Sequence, residues 1–170
     1  MSELIHKPSQ MSRAEFVAVF GGVYEHSAWV AEQLWDQGLT AEHDKADELA
    51  AAMAKIVARA SVDAQMKLIN AHPDLAGKAA LRGELTMESS SEQAGAGLGE
   101  CTEEEFARFQ EYNAAYKSKF GFPFIKAVRN SNRFEILKGF QDRLVNDVNA
   151  EFTTALQEID KIAAFRLEDL

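Results

Sequence analysis

Apolar residues recur along almost the whole chain at the spacing of an α-helix. Phe16, Val19 and Phe20 follow Ser12-Arg13-Ala14-Glu15, a capping-box pattern, and Gly21-Gly22 ends that segment. Trp29, Val30 and Leu34 predict a second helix over 28–37, with Gly38 placed to terminate it. An alanine-rich stretch from about His43 to Ala60 sets Leu49, Met53, Ile56 and Val57 on one face. The segment 62–70 sets Val62, Met66 and Ile69 inward. Thr102-Glu103-Glu104-Glu105 is a second capping box. It opens a long helix with Phe106, Phe109, Asn113 and Tyr116 in register, and Gly121 stops it. Two more helices are predicted over 133–145, through Phe134, Leu137, Phe140 and Leu144, and over 150–167, through Phe152, Leu156, Ile159 and Ala163. The alternating β-branched and aromatic runs that a sheet needs are missing. The pattern therefore predicts an all-α fold: one compact domain over residues 1–170, a bundle of roughly eight helices, with residues 1–10 as a flexible N-terminal tail.

The helical pattern breaks between Asn70 and Gly97. A residue before proline is pushed out of the α region, so His72 sits just past a helix end, ahead of Pro73 and Asp74. A loop with a helical turn is predicted over 74–83, then a short helix from Ser89 to Gly97 entered through Thr86 and Ser89. Farther on, Phe122-Pro123-Phe124-Ile125 is apolar, but Pro123 bars it from a helix interior.

Composition narrows the range of functions. Hydrophobic residues make up 46% of the chain and charged residues 26%, as in ordinary globular proteins. The net charge of −9, with no offsetting Lys/Arg run, argues against nucleic-acid binding. No segment has the length and apolarity of a membrane span. Cys101 is the sole cysteine, so no intrachain disulfide forms. The start lacks the features of a signal peptide and the end is not a peroxisomal tripeptide, which makes the cytoplasm the expected compartment.

Four places have side chains suited to chemistry, each with a plainer alternative. At His72, a helix C-terminus and the nearby Asp74 both favour the imidazolium form, which suits general acid–base work. The alternative is a histidine that only caps the last carbonyls. His6, His26 and His43 have weaker claims. The run Glu88-Ser89-Ser90-Ser91-Glu92-Gln93 offers hydroxyls and a carboxylate at a helix start, a ready anion or ligand site. Helix capping alone accounts for one or two of the serines. Arg166 continues the inward stripe of the last helix, either bonded to a carboxylate of its own fold or holding an anionic or carbonyl-rich ligand. The Pro-broken 122–125 segment is either core filling or a source of backbone N–H and C=O groups for a ligand. The glycines from Gly95 to Gly99 suit helix packing better than a nucleotide loop, since no strand precedes them. No metal-ligand spacing and no nucleophile elbow is present.

These motifs, in this order, resemble the 2-oxo-4-hydroxy-4-carboxy-5-ureidoimidazoline (OHCU) decarboxylases of urate degradation. The resemblance rests on His72-Pro73-Asp74-Leu75-Ala76-Gly77-Lys78, on Leu85-Thr86 with Glu88-Ser89 and Glu92-Gln93 to Leu98, on Asn113 through Lys119-Phe120-Gly121-Phe122-Pro123-Phe124-Ile125, and on Glu158-Ile159 to Arg166-Leu167. It implies an all-helical homodimer that uses no cofactor and no metal and converts OHCU to (S)-allantoin and CO2. It also implies that His72 is catalytic, and Glu92 is expected to act with it by bonding the substrate hydroxyl or ureido N–H groups. Pro73, Ser89, Ser90, Ser91, Glu92, Gln93, Phe124, Ile125, Lys126, Ala127, Val128 and Arg166 would then bind substrate. The chemistry fits a chain with no cofactor motif, because the ring C=N of this substrate can accept the electron pair released with CO2. Two other readings of the same residues are a hydrolase or isomerase of a related ureido compound and a non-catalytic helical interaction module.

Overall fold

The structure, a computed structural model, describes residues 2–170. Among the described residues the regular structure is nine α-helices and three short 3-10 turns, and the all-α expectation holds. The helices are α1 (Arg13–Phe20), α2 (Trp29–Gln37), α3 (Ala46–Arg59), α4 (Val62–Asn70), α5 (Lys78–Leu81), α6 (Met87–Gly95), α7 (Glu103–Phe120), α8 (Arg133–Arg143) and α9 (Val148–Glu168). The chain divides into two compact units. One comprises Met1–Ala71 with Ile159–Leu170, the other His72–Glu158, so α9 gives its start to the second unit and its end to the first.

In the first unit α1 begins where its sequence signature predicts. Ser12 Oγ accepts from Glu15 N (3.2 Å), and Glu15 Oε2 accepts from Ser12 N (2.8 Å). Phe16, Phe20, Val30, Leu34, Leu49, Met53 and Ile69 form a core no more than 4% exposed. Each such side chain is worth about 1.5–3 kcal/mol of burial. Two features depart from the periodicity. Val62 is 66% exposed rather than inward and Met66 is half-buried, while α4 buries Gln65 and Leu68 along with the expected Ile69. Gln65 tolerates burial because its Nε2 donates to Val57 O (2.9 Å). The segment expected as a loose tail is tied down. Leu4 is buried, Leu4 N donates to Asp44 O (2.8 Å), Glu3 bridges to Lys45, and Ser9 bonds the Asp44 carboxylate. Residue 1 of that segment lies outside the described residues.

The second unit has an aromatic core. Phe124 stacks on Phe140 with centroids 3.8 Å apart, and Tyr116 meets Phe124 edge-on at 5.3 Å. Phe109, Phe120 and Phe122 are buried beside them. Core filling is therefore what the side chains of 122–125 do. Thr102 and Glu105 form the predicted capping box of α7, and Gly121, at φ +78, ends that helix in the left-handed region. Phe134, expected inward, is 61% exposed. It lies in the first turn of α8, where the Arg133 guanidinium covers its ring at 4.7 Å.

Candidate active site

His72 follows directly on Ala71, the C-cap of α4, and is 8% exposed. The Ala71 N–H already serves the carbonyls of Lys67 (3.0 Å) and Leu68 (3.2 Å), so part of the helix end is satisfied by backbone. After Pro73 the chain makes a tight loop. Ala76 adopts φ +51, a left-handed conformation that side chains with a Cβ rarely take. Gly77 is needed for close approach, because a Cβ there would lie 2.6 Å from the Asp74 Cβ.

Five polar contacts hold this loop. Gln93 Oε1 accepts from Ala76 N (3.0 Å) and Gln93 Nε2 donates to Asp74 O (3.1 Å). From α7, Asn113 Nδ2 donates to Leu75 O (3.0 Å), Gln110 Nε2 donates to Ala76 O (2.8 Å), and Lys117 Nζ pairs with Asp74 Oδ2 (2.5 Å). Gln93 is 5% exposed. One donor and one acceptor of its amide therefore serve the histidine loop, a task the sequence did not reveal.

The Ser-rich run is α6, capped by Thr86, whose Oγ1 accepts from Ser89 N (3.2 Å). The cap is thus Thr86 and none of the three serines, which removes the plain explanation for them. Ser89 and Gln93 are buried, Glu92 is half-buried, and Ser90 and Ser91 are exposed. A cavity of about 430 Å³ in this unit is lined by Ala76, Leu81, Ser90, Gln93, Cys101 and Phe106, among others. Of the residues proposed for the site, only Ser90 and Gln93 line it. Partial burial raises the Cys101 thiol pKa, with the Glu105 carboxylate adding to the effect.

Over 124–128 the backbone is held from two sides. Ile125 O accepts from Arg143 Nη1 (2.6 Å), and Ala127 N donates to Glu158 Oε1 (3.2 Å). Phe124, Ile125 and Val128 are buried, while Lys126 and Ala127 are half-buried. The anchor behind this stretch was not foreseen. Glu151, wholly buried, accepts from Arg143 Nε (2.8 Å), Asn146 Nδ2 (3.0 Å) and the Tyr116 hydroxyl (2.5 Å). Burial, with the Glu151 carboxylate beside it, holds the Tyr116 phenol protonated well above its ordinary range. The available signal was Glu151 standing one turn before Ala155 and two before Ile159, a carboxylate on an apolar stripe.

Arg166 belongs to the first unit and is 5% exposed. Its Nη2 pairs with Glu25 Oε2 (2.8 Å), and its Nη1 donates to Gly22 O (3.3 Å) and Val23 O (3.4 Å). The plainer expectation, a buried arginine bonded to a carboxylate of its own fold, is thus present. In the same unit the buried Tyr24 hydroxyl donates to Asp160 Oδ1 (2.7 Å). The other histidines are placed peripherally. His43 Nδ1 accepts from Thr40 N (2.9 Å) at a 3-10 turn, and His6 and His26 are exposed. Among the described residues, no group of three or more His, Cys, Asp or Glu side chains could hold a metal ion, and no helix is long and apolar enough to cross a membrane.

The family model described as OHCU decarboxylase matches residues 9–168. The 2-oxo-4-hydroxy-4-carboxy-5-ureidoimidazoline decarboxylase of Halalkalicoccus jeotgali is 41% identical over 162 residues, covering 95% of this chain and 88% of the relative. The uric acid degradation bifunctional protein of Bacillus sp. (strain TB-90) is 40% identical over 95% of this chain, which spans 31% of that longer protein. Among solved structures, a crystal structure of (S)-allantoin synthase superposes with a TM-score of 0.74 at 35% identity, covering 94% of this chain and 50% of that one.

Proposed function

The chain belongs to the OHCU decarboxylase family, and we propose that it converts OHCU to (S)-allantoin and CO2 with His72 as the proton-transferring group. It is a decarboxylase of urate degradation. The observation that carries the reading is the family match, whose span, residues 9–168, takes in the segments proposed for the site. The burial of His72 on a firmly held loop supports its assignment.

The chemistry asks three things of the protein. The C–CO2 bond breaks and its electron pair moves into the adjacent ring C=N, so the substrate carries its own sink. The protein must orient the carboxylate, stabilise the charge that develops, and bring a proton to one face of the ring. His72 moves that proton. Glu92 bonds the substrate hydroxyl or ureido N–H groups. Gln93 and Ser89 fix the remaining polar edges, with Pro73, Ser90, Ser91 and the backbone of Phe124 to Val128 completing the contacts. Arg166 binds the negative charge or a ring carbonyl through its planar fork. Delivery to one face gives a single enantiomer. The same reading takes the chain as one catalytic domain over residues 1–170 that works as a homodimer in the cytoplasm without a cofactor. Sedimentation would report a dimer mass if the homodimer is correct.

The deciding experiment generates OHCU in place from urate and follows allantoin by circular dichroism, with CO2 measured in parallel. The protein is expected to yield optically active (S)-allantoin faster than spontaneous decay. Racemic product at the uncatalysed rate would overturn the function, and turnover without CO2 would favour the hydrolase or isomerase reading. Replacing His72 with Ala is expected to lower the rate on the order of 10²–10⁴-fold.

A further inference from the structure

The loop behind His72 is more heavily held than a connection of its length requires. Three of its holders, Gln110, Asn113 and Lys117, are spaced three and four apart and so share one face of α7, and the fourth, Gln93, reaches it from α6. Between them they engage Asp74, Leu75 and Ala76, the residues that begin two positions beyond His72. The loop contains its own strain at Ala76, and strained backbone persists only where its surroundings over-determine it.

Asn113 carries the most telling detail. It stands in the apolar stripe of α7 between Phe109 and Tyr116 and is 4% exposed. Its Nδ2 serves Leu75 O, while its Oδ1 is buried with no hydrogen-bond partner. A buried unsatisfied acceptor is a cost to the fold. A polar side chain kept in such a place for one bond to the loop is better explained by what the loop must do than by stability.

We infer that Gln110 and Asn113 are positioning residues that fix the imidazole of His72 through the Leu75–Ala76 backbone. The inference rests on the reading of His72 as the proton-transferring group. A loose loop would leave the imidazole in place on average but misaligned in most molecules. Substrate binding would then be largely retained while the proton step slows.

The test compares the wild type with Gln110→Leu and Asn113→Leu. Turnover on freshly generated OHCU is split into kcat and KM, and the ring nitrogens of His72 are observed by NMR across a pH titration. Each Leu variant is expected to lower kcat on the order of 10–100-fold, with KM changed by less than about threefold and the His72 resonances displaced. Folded Leu variants with wild-type kcat and unmoved His72 signals would overturn the inference. Should Asn113→Leu fail to fold, the half-buried Gln110→Leu decides the matter on the same readouts. Equal rates for wild type and His72→Ala would instead overturn the role of His72 itself. That failure is distinguishable, because the His72 signals would still move in the loop variants.

Discussion

At Gly77 the backbone passes so close to Asp74 that a methyl group would sit 2.6 Å from its Cβ. Gly77→Ala must therefore displace the loop that follows His72. It is expected to lower kcat more than it lowers thermal stability, as paired rate and melting measurements would show. Asp160 gives a prediction of a different kind. Burial raises its carboxyl pKa above the ordinary aspartate value of 3.8, against the opposing hydrogen bond from Tyr24. A folded-state acid with a raised pKa favours the fold at low pH, and that contribution is lost as pH rises through the raised value. Asp160→Asn keeps an acceptor for Tyr24 and has no charge to bury. Its melting temperature should exceed the wild type's at neutral pH, and the difference should vanish as pH falls toward 4. Residues such as Glu151 and Gln93 were not legible one at a time. Helical spacing places a side chain on a face, but the partner that makes burial tolerable comes from a segment far away in sequence, as Tyr116 does for Glu151 and Ala76 for Gln93.

Among the elements, the helix starts were the most legible part of the chain. Ser12 and Thr102 carry their caps and return carboxylates in a local pattern, and both boxes form as written. The span 62–70 matches α4 at both ends. Facing was harder, because Val62 and Phe134 lie in first turns, where little of the neighbouring fold reaches them. For α6 the sequence offered Thr86 and Ser89 as starts, and the structure selects Thr86. That choice has a consequence for function. Thr86→Ala should cost about 1 kcal/mol of helix stability and fray the turn that carries Ser89. The expected result is a rise in KM, with faster amide exchange confined to the start of α6. Exchange unchanged from the wild type would contradict the capping role.

For the whole molecule, the net charge of −9 stands against a substrate that carries a carboxylate. Long-range repulsion opposes encounter and is screened over roughly 8–10 Å at physiological salt. Raising salt from a low level should therefore lower KM with little effect on kcat, the reverse of what an attractively steered enzyme shows. A salt-independent KM would mean that local positive charge balances the field of the molecule, and a KM that rises with salt that it outweighs it. All-helical class was legible at this scale because one period dominates the chain. The division into two units was not, because it depends on where α9 changes allegiance, midway through an unbroken helix.

That division also sets an order of events during synthesis. The unit His72–Glu158 is a single continuous stretch and has all its parts once Glu158 has left the ribosome. The unit that begins the chain must wait for Ile159–Leu170, although most of it was made first. The aromatic core around Phe124 can thus settle while the core around Phe16 still lacks Ile159, Ala163 and Leu167. The first unit is thus completed by residues that lie beyond the whole of the second in sequence.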